Sequence, residues 1–90
     1  MTRDIYLEMT FRKGKPLAGY LHLPRREGDY AAYSRKVADG LVVDYAPDDR
    51  PIGIEIVSPS IVTVEAVNRV LADLRQSAIE PEELAPLRAG

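Results

Sequence analysis

Between Gly40 and Val57 the chain reads GLVVDYAPDDRPIGIEIV, two short alternating apolar runs around a turn-forming segment, all within the length of one hairpin. Leu41 to Tyr45 and Ile52 to Val57 are the expected strands. They are joined through Ala46-Pro47-Asp48-Asp49-Arg50, where proline presets one turn dihedral and aspartate tolerates the left-handed conformation. Pro51 has no N–H to give to a ladder and is expected at the start of its strand. Gly53 marks a bulge or a close approach of another group to the backbone.

The same two-residue period runs upstream. From Arg3 to Phe11 it puts Ile5, Leu7, Met9 and Phe11 on one side and Tyr6, Glu8 and Thr10 on the other. After the glycine- and proline-broken loop Arg12 to Pro16 it resumes, with Leu17, Leu21 and Leu23 opposite Ala18, Tyr20 and His22. A charged loop, Pro24 to Asp29, precedes a third strand over Tyr30 to Ala38, twisted or at an edge, and Asp39-Gly40 turns the chain into the central hairpin. Past Val57, Ser58-Pro59-Ser60 halts the sheet and the period changes. Val64, Val67, Val70, Leu71 and Leu74 form one helical stripe behind a Thr63 cap, with Glu65 in the first turn.

These elements predict one α+β domain over 1–90, a small curled antiparallel β-meander of about five strands packed against one C-terminal α-helix. The sheet spans about residues 3–57, the helix about 64–76, and an irregular tail 77–90, in which Pro81-Glu82-Glu83-Leu84 has the composition of one further short turn. Five strands spaced about 4.8 Å apart are roughly 20 Å across, twice the width of a helix. The uncovered part of the apolar face therefore requires strong curling, the C-terminal Ile79, Leu84 and Leu87, or a second copy in a homodimer.

Composition narrows the picture in three respects. Ninety residues, 46% hydrophobic and 29% charged, suit one modest core in an ordinary globular domain. Zero cysteines exclude disulfides and thiolate zinc sites, and with no apolar run of membrane-spanning or signal-peptide type the expectation is a cytoplasmic protein without membrane contact. The net charge of -2 is unevenly spread: residues 1–39 carry eight Lys/Arg against five Asp/Glu, residues 40–90 four against nine.

The run Gly40-Leu41-Val42-Val43-Asp44-Tyr45, the acidic loop after it, Ile52-Gly53-Ile54-Glu55-Ile56 and the exit through Ser58 resemble the small bacterial family known as domain of unknown function 2283. That family's pattern is an apolar strand ending in Asp-Tyr or Asp-Leu, a loop rich in Asp and Gly, then Val-Gly-Ile-Glu-Ile, with a looser match at Gly19-Tyr20-Leu21-His22-Leu23. The likeness extends over roughly residues 11 to 60. Asp49 stands where members commonly have glycine, and Pro51 is unusual at a strand start. The resemblance implies a compact sheet plus helix of unassigned activity, and its members' association with toxin-like genes implies an antitoxin-like or partner-binding role.

Candidate chemistry lies on the polar parity. With the apolar parity facing inward, Tyr6, Glu8, Tyr20, His22, Asp44 and Glu55 share the outer face, beside Ser34 and Lys36. Of these, His22, Asp44 and Glu55 are the candidates for a divalent metal or for acid–base chemistry; the competing account is a solvated sheet face. Arg12, Lys13, Lys15, Arg25 and Arg26, near Tyr20, Tyr30 and Tyr33, are the candidates for a nucleic-acid surface, weakened because the two loops follow opposite ends of one strand. No catalytic, metal or cofactor-binding residue is assigned and no cofactor is expected. The functional expectation is a module that binds a small protein partner, with the enzyme and nucleic-acid readings as alternatives.

Overall fold

The computed structural model describes residues 5–88 and the side chains of 5–87. Residues 3 and 4, expected to open the first strand, and 89–90, expected to end the tail, lie outside the described residues. Five strands, β1 (Tyr6–Arg12), β2 (Lys15–His22), β3 (Tyr33–Ala38), β4 (Leu41–Tyr45) and β5 (Pro51–Ile56), form one antiparallel sheet in the order β1-β2-β5-β4-β3. The α+β class and the antiparallel sheet are as read from the sequence. The order is not the consecutive one of a meander: the hairpin β1-β2 joins the meander β3-β4-β5 through a long-range pairing of β2 with β5.

Burial explains why β5 takes the centre. Ile52, Ile54 and Ile56 are all fully buried, and no edge position shields three such residues. β3, exposed throughout Tyr33 to Val37, goes to the edge. Two irregularities shape the ladders. Between β1 and β2 the register passes from Thr10 opposite Ala18 to Phe11 opposite Pro16, so Leu17 is an extra residue. Leu17 and Phe11, assigned to the core parity by alternation, are consequently 51% and 47% exposed. Between β4 and β5 the extra residue is Ile52, and Pro51 opens its strand as its missing N–H requires. Asp49, in the intervening turn, is in the left-handed region at φ 69°.

The inner face is closed by three pieces of chain. A 3-10 turn at Pro59–Ile61 leads into α1 (Val64–Asp73), where the Thr63 hydroxyl accepts a 3.0 Å hydrogen bond from the Ala66 N–H. α1 buries Val67, Val70 and Leu71 and ends at Asp73, short of the expected residue 76. Arg75 turns left-handed (φ 58°) while the Gln76 N–H reaches the Leu71 carbonyl at 2.8 Å and the Arg75 N–H the Ala72 carbonyl at 3.0 Å, a Schellman stop made without glycine. Asn68, on α1, then clips the returning chain, accepting from the Ile79 N–H at 2.9 Å and donating to its carbonyl at 3.2 Å.

The tail is more ordered than expected. Pro81–Arg88 is a 3-10 helix, α1's complement, lying against β1 and β2 with Ile79, Leu84 and Leu87 each only 3% exposed. Of the three ways to cover the sheet, the chain uses its own C-terminus, so a second copy is not needed to close the core. Leu87→Ala should accordingly destabilise the fold by about 2–4 kcal/mol, read as a lower urea midpoint at unchanged m-value. An unchanged midpoint would mean that the tail is not part of the core.

Candidate functional site on the outer sheet face

Sheet register lines up two rows of side chains on the outer face. Tyr6, His22, Gly53, Asp44 and Ser34 stand opposite one another across β1, β2, β5, β4 and β3; Glu8, Tyr20, Glu55, Val42 and Lys36 form the adjacent row. Gly53 is a gap in the first row, and Tyr20 fills it. The Tyr20 ring leans diagonally over the Gly53 backbone so closely that any Cβ at position 53 would overlap its Oη and Cζ. This is the close approach that the glycine signalled, with an aromatic ring as the approaching group.

Lying across Gly53 brings Tyr20 to Asp44. Its hydroxyl donates to one Asp44 oxygen at 2.9 Å, and Ser34, from β3, donates to the other at 2.6 Å. Glu55 also hydrogen-bonds Asp44, and two carboxyl groups share a hydrogen bond only through a proton that one of them holds. The upward shift of Glu55 and the downward shift of Asp44 put that proton mainly on Glu55 at pH below about 7. Its pKa is pushed up to about 7, first by donating to Asp44 and then by desolvation and by the Asp44 charge. Asp44 is 7% exposed, and burial alone would raise its pKa; the hydrogen bonds from Glu55, Ser34 and Tyr20 outweigh it and hold the carboxyl below its ordinary value. Tyr20 rises to about 12, through burial first and the bond to Asp44 second.

The loop 23–32 completes the cluster from the end of the sheet. The Ile52 carbonyl, freed at the bulge, accepts from the Leu23 N–H at 3.2 Å and from Arg25 Nε at 3.3 Å, which sets the Arg25 guanidinium to donate to Tyr20 Oη at 3.2 Å. The loop is anchored below by Arg50, which donates to both Asp29 oxygens at 2.9 and 2.6 Å and to Asp48 at 2.7 Å. That bidentate pairing, with the Arg26 N–H as a second donor, lowers the Asp29 pKa to about 2.

Of the three outer-face candidates, Asp44 and Glu55 come together and His22 does not join them. His22 pairs instead with Glu8 at 2.7 Å, stacks on Tyr6 at 4.3 Å, and meets the Tyr20 ring edge-on at 4.7 Å. Among the described residues no three His, Asp or Glu side chains form a group able to hold a metal ion. The basic candidates are divided: Arg12, Lys13 and Lys15 at the β1-β2 turn, Arg25 and Arg26 beyond the other end of β2, and Arg25 is committed to Tyr20 and Ile52. Sequence reasoning missed the parts played by Tyr20, Ser34 and Arg25. The signal for Tyr20 was an aromatic residue and a glycine of the same outward parity, but it becomes readable only with β2 beside β5.

Residues 18–60, just under half of the chain, match the family described as protein of unknown function (DUF2283). The segment contains Tyr20, Asp44, Gly53 and Glu55, all the members of the cluster around Asp44 that the sequence likeness draws on, and the chain resembles that family here. No curated protein and no solved structure matches the chain. No helix among the described residues is long and apolar enough to cross a membrane.

Two outcomes follow from this geometry. Glu55 binds its proton more tightly folded than unfolded, so its contribution is complete below about pH 4.5 and is lost as pH rises towards about 7. Asp44 acts in the opposite sense, losing its contribution as pH falls through the carboxylate range. Stability should therefore fall between about pH 5 and pH 8, by on the order of 1 kcal/mol once solvent screening of the partly exposed Glu55 is allowed for. Glu55→Gln should flatten that slope in urea titrations; a wild-type curve already flat there would contradict the shared proton. Gly53→Ala should expel the Tyr20 ring, costing about 2–3 kcal/mol, and bring the Tyr20 phenol titration, followed by ultraviolet absorbance, back towards its usual range near 10.

Proposed function

We propose that the chain is a protein-interaction module that holds a small partner along the β3 edge of its sheet. The observation that carries the reading is β3, an edge strand exposed from Tyr33 to Val37, with Tyr33 38% and Val37 40% exposed. Beside it, between strand and helix, runs a groove of about 390 Å³ whose apolar lining includes Val37, Ala38, Tyr45, Ala66, Val70 and Leu74. An edge offers unpaired backbone groups to an added strand, and a flanking apolar groove offers that strand's alternate side chains a place to bury.

The acidic surplus of residues 40–90 attracts a basic protein to the molecule as a whole, while the edge itself presents Arg35 and Lys36, with Arg69 and Asp73 in the groove beside it. In the antitoxin-like form of this reading the partner is a small basic protein, neutralised in the cytoplasm by being held; a second copy of the chain on the same edge is its homodimeric form. Acid–base chemistry at Asp44 and Glu55 is the second reading, favoured by a proton held to about pH 7 beside an ionised carboxylate. It ranks lower because the hydroxyls around the pair are engaged with Asp44 itself.

Copurification from the source cell, followed by reconstitution of the recovered protein with the purified chain, tests the first reading. A one-to-one complex is expected, weakened at least about tenfold by Val37→Lys, which places a charge in the apolar part of the edge. The reading fails if no stoichiometric partner is recovered or if the complex is indifferent to Val37→Lys.

A further inference from the structure

The two edges of the sheet are built differently. On β3 the register passes from Lys36 opposite Val42 to Ala38 opposite Leu41, so Val37 is an extra residue, and Arg35 and Lys36 stand at mid-strand. A bulge and adjacent cations discourage an edge from pairing with a copy of itself. β1 has neither. Each of its seven residues, Tyr6–Arg12, has a partner on β2, and the extra residue of that hairpin, Leu17, belongs to β2. From Tyr6 to Phe11 it holds one charge, Glu8, and no lysine, proline or glycine. Among the described residues no strand pairs with its outer side. The C-terminal 3-10 helix reaches its inner face near Leu7 and Met9, through Leu87, and Phe11 stays 47% exposed.

We propose that two copies of the chain join through β1, antiparallel, about a two-fold axis at Met9, so that their sheets run on as one. Strand length, apolar matching and charge together select that register. A two-fold axis normal to a sheet sets residues of the same face opposite each other, so its centre falls on a residue. Centred on Met9, Tyr6 meets Arg12, Leu7 meets Phe11 and Glu8 meets Thr10, and β1 pairs over its whole length. On the inner face Phe11 of each copy is covered by Leu7 of the other, beside Met9 against Met9. On the outer face the Thr10 hydroxyl donates to the Glu8 carboxylate, and the Arg12 stem runs along the Tyr6 ring with its charge diagonal to Glu8. Every second residue of an edge strand turns its N–H and C=O outward, so the ladder forms around a centre of either parity. Other centres fit worse. Glu8 at the axis meets its own charge, and Thr10 at the axis sets Leu7 and Tyr6 against the turn residues Lys13 and Gly14. On β3 the two central registers put Arg35 against Arg35 or Lys36 against Lys36. The pairing is independent of the β3 reading and leaves that edge to a different partner.

Sedimentation equilibrium of the whole chain from about 10 μM to about 1 mM, which spans Kd values in the micromolar range, should show a monomer–dimer equilibrium. Thr10→Glu, at an exposed position, sets carboxylates against each other on both sides of the axis and should weaken the dimer at least about tenfold. Adding Glu8→Lys to it turns both contacts into opposite-charge pairs and should recover most of that loss. Thermal melting followed by circular dichroism establishes that each variant is folded. Amide hydrogen exchange reads the same contact without a substitution: protection should rise with concentration along Tyr6–Arg12 and stay constant along β3. A monomer throughout, a dimer indifferent to Thr10→Glu, no recovery on adding Glu8→Lys, or protection rising at β3 instead would overturn the proposal. Recovery of a foreign partner at β3, or its absence, bears only on the other reading.

Discussion

The contact on which the rest depends is the seam between β2 and β5, where the Tyr20 ring lies on Gly53. Two pieces of chain that are separately local, the β1-β2 hairpin and the β3-β4-β5 meander, become one sheet only there. The ladder supplies backbone hydrogen bonds, and the inner face supplies Leu21 against Ile54 and Ile56. The outer face supplies the ring, which covers a glycine that would otherwise leave the ladder open to water and carries a hydroxyl across it to Asp44 on the third strand along. A single side chain thus touches β2, β5 and β4, and through Asp44 it reaches Ser34 on β3. A buried carboxylate is costly unless its lone pairs are filled, and this one is filled from three strands.

Much of this was legible in the sequence because alternation is a direct image of the pleat. Tyr6, Glu8, Tyr20, His22, Asp44 and Glu55 all lie on the outward parity that their spacing assigns, and Gly53 marks a close approach as glycine within a strand tends to do. Three things were not legible. Leu17 and Phe11 obey the period but sit at a bulge, and a bulge shifts the parity without altering the apolar pattern. Strand order cannot be inferred from strands read one at a time, so the β2-β5 seam that carries Tyr20 across Gly53 to Asp44 was out of reach. The last turn of α1 stops on a left-handed arginine, where a stop normally announces itself with glycine or asparagine.

The C-terminal half answers a shortage of covering material. One ten-residue helix spans only part of a five-stranded sheet, and the chain deals with this by folding back through Asn68 and Ile79 and laying a 3-10 helix over the other part. The two covers divide the labour. The 3-10 turn Pro59–Ile61 and the tail close the side of β1 and β2, and α1 faces the β3 side, where the cover thins into the groove beside the edge strand. The least covered part of the core and the most exposed strand are therefore neighbours.

The strand order also has a consequence in time. β2 finds its second neighbour only when β5 exists, and roughly thirty residues of chain separate them. At ribosomal rates of about 5–20 residues per second, the β1-β2 hairpin waits on the order of two to six seconds with one flank of Leu21 and Tyr20 unpaired. Contacts of such long sequence separation are slow to form even in a finished chain. During that interval β2, which flanks the central strand of the mature sheet, is itself an open edge, and the charged loop 24–29 that follows it keeps the nascent hairpin in water until its partner arrives.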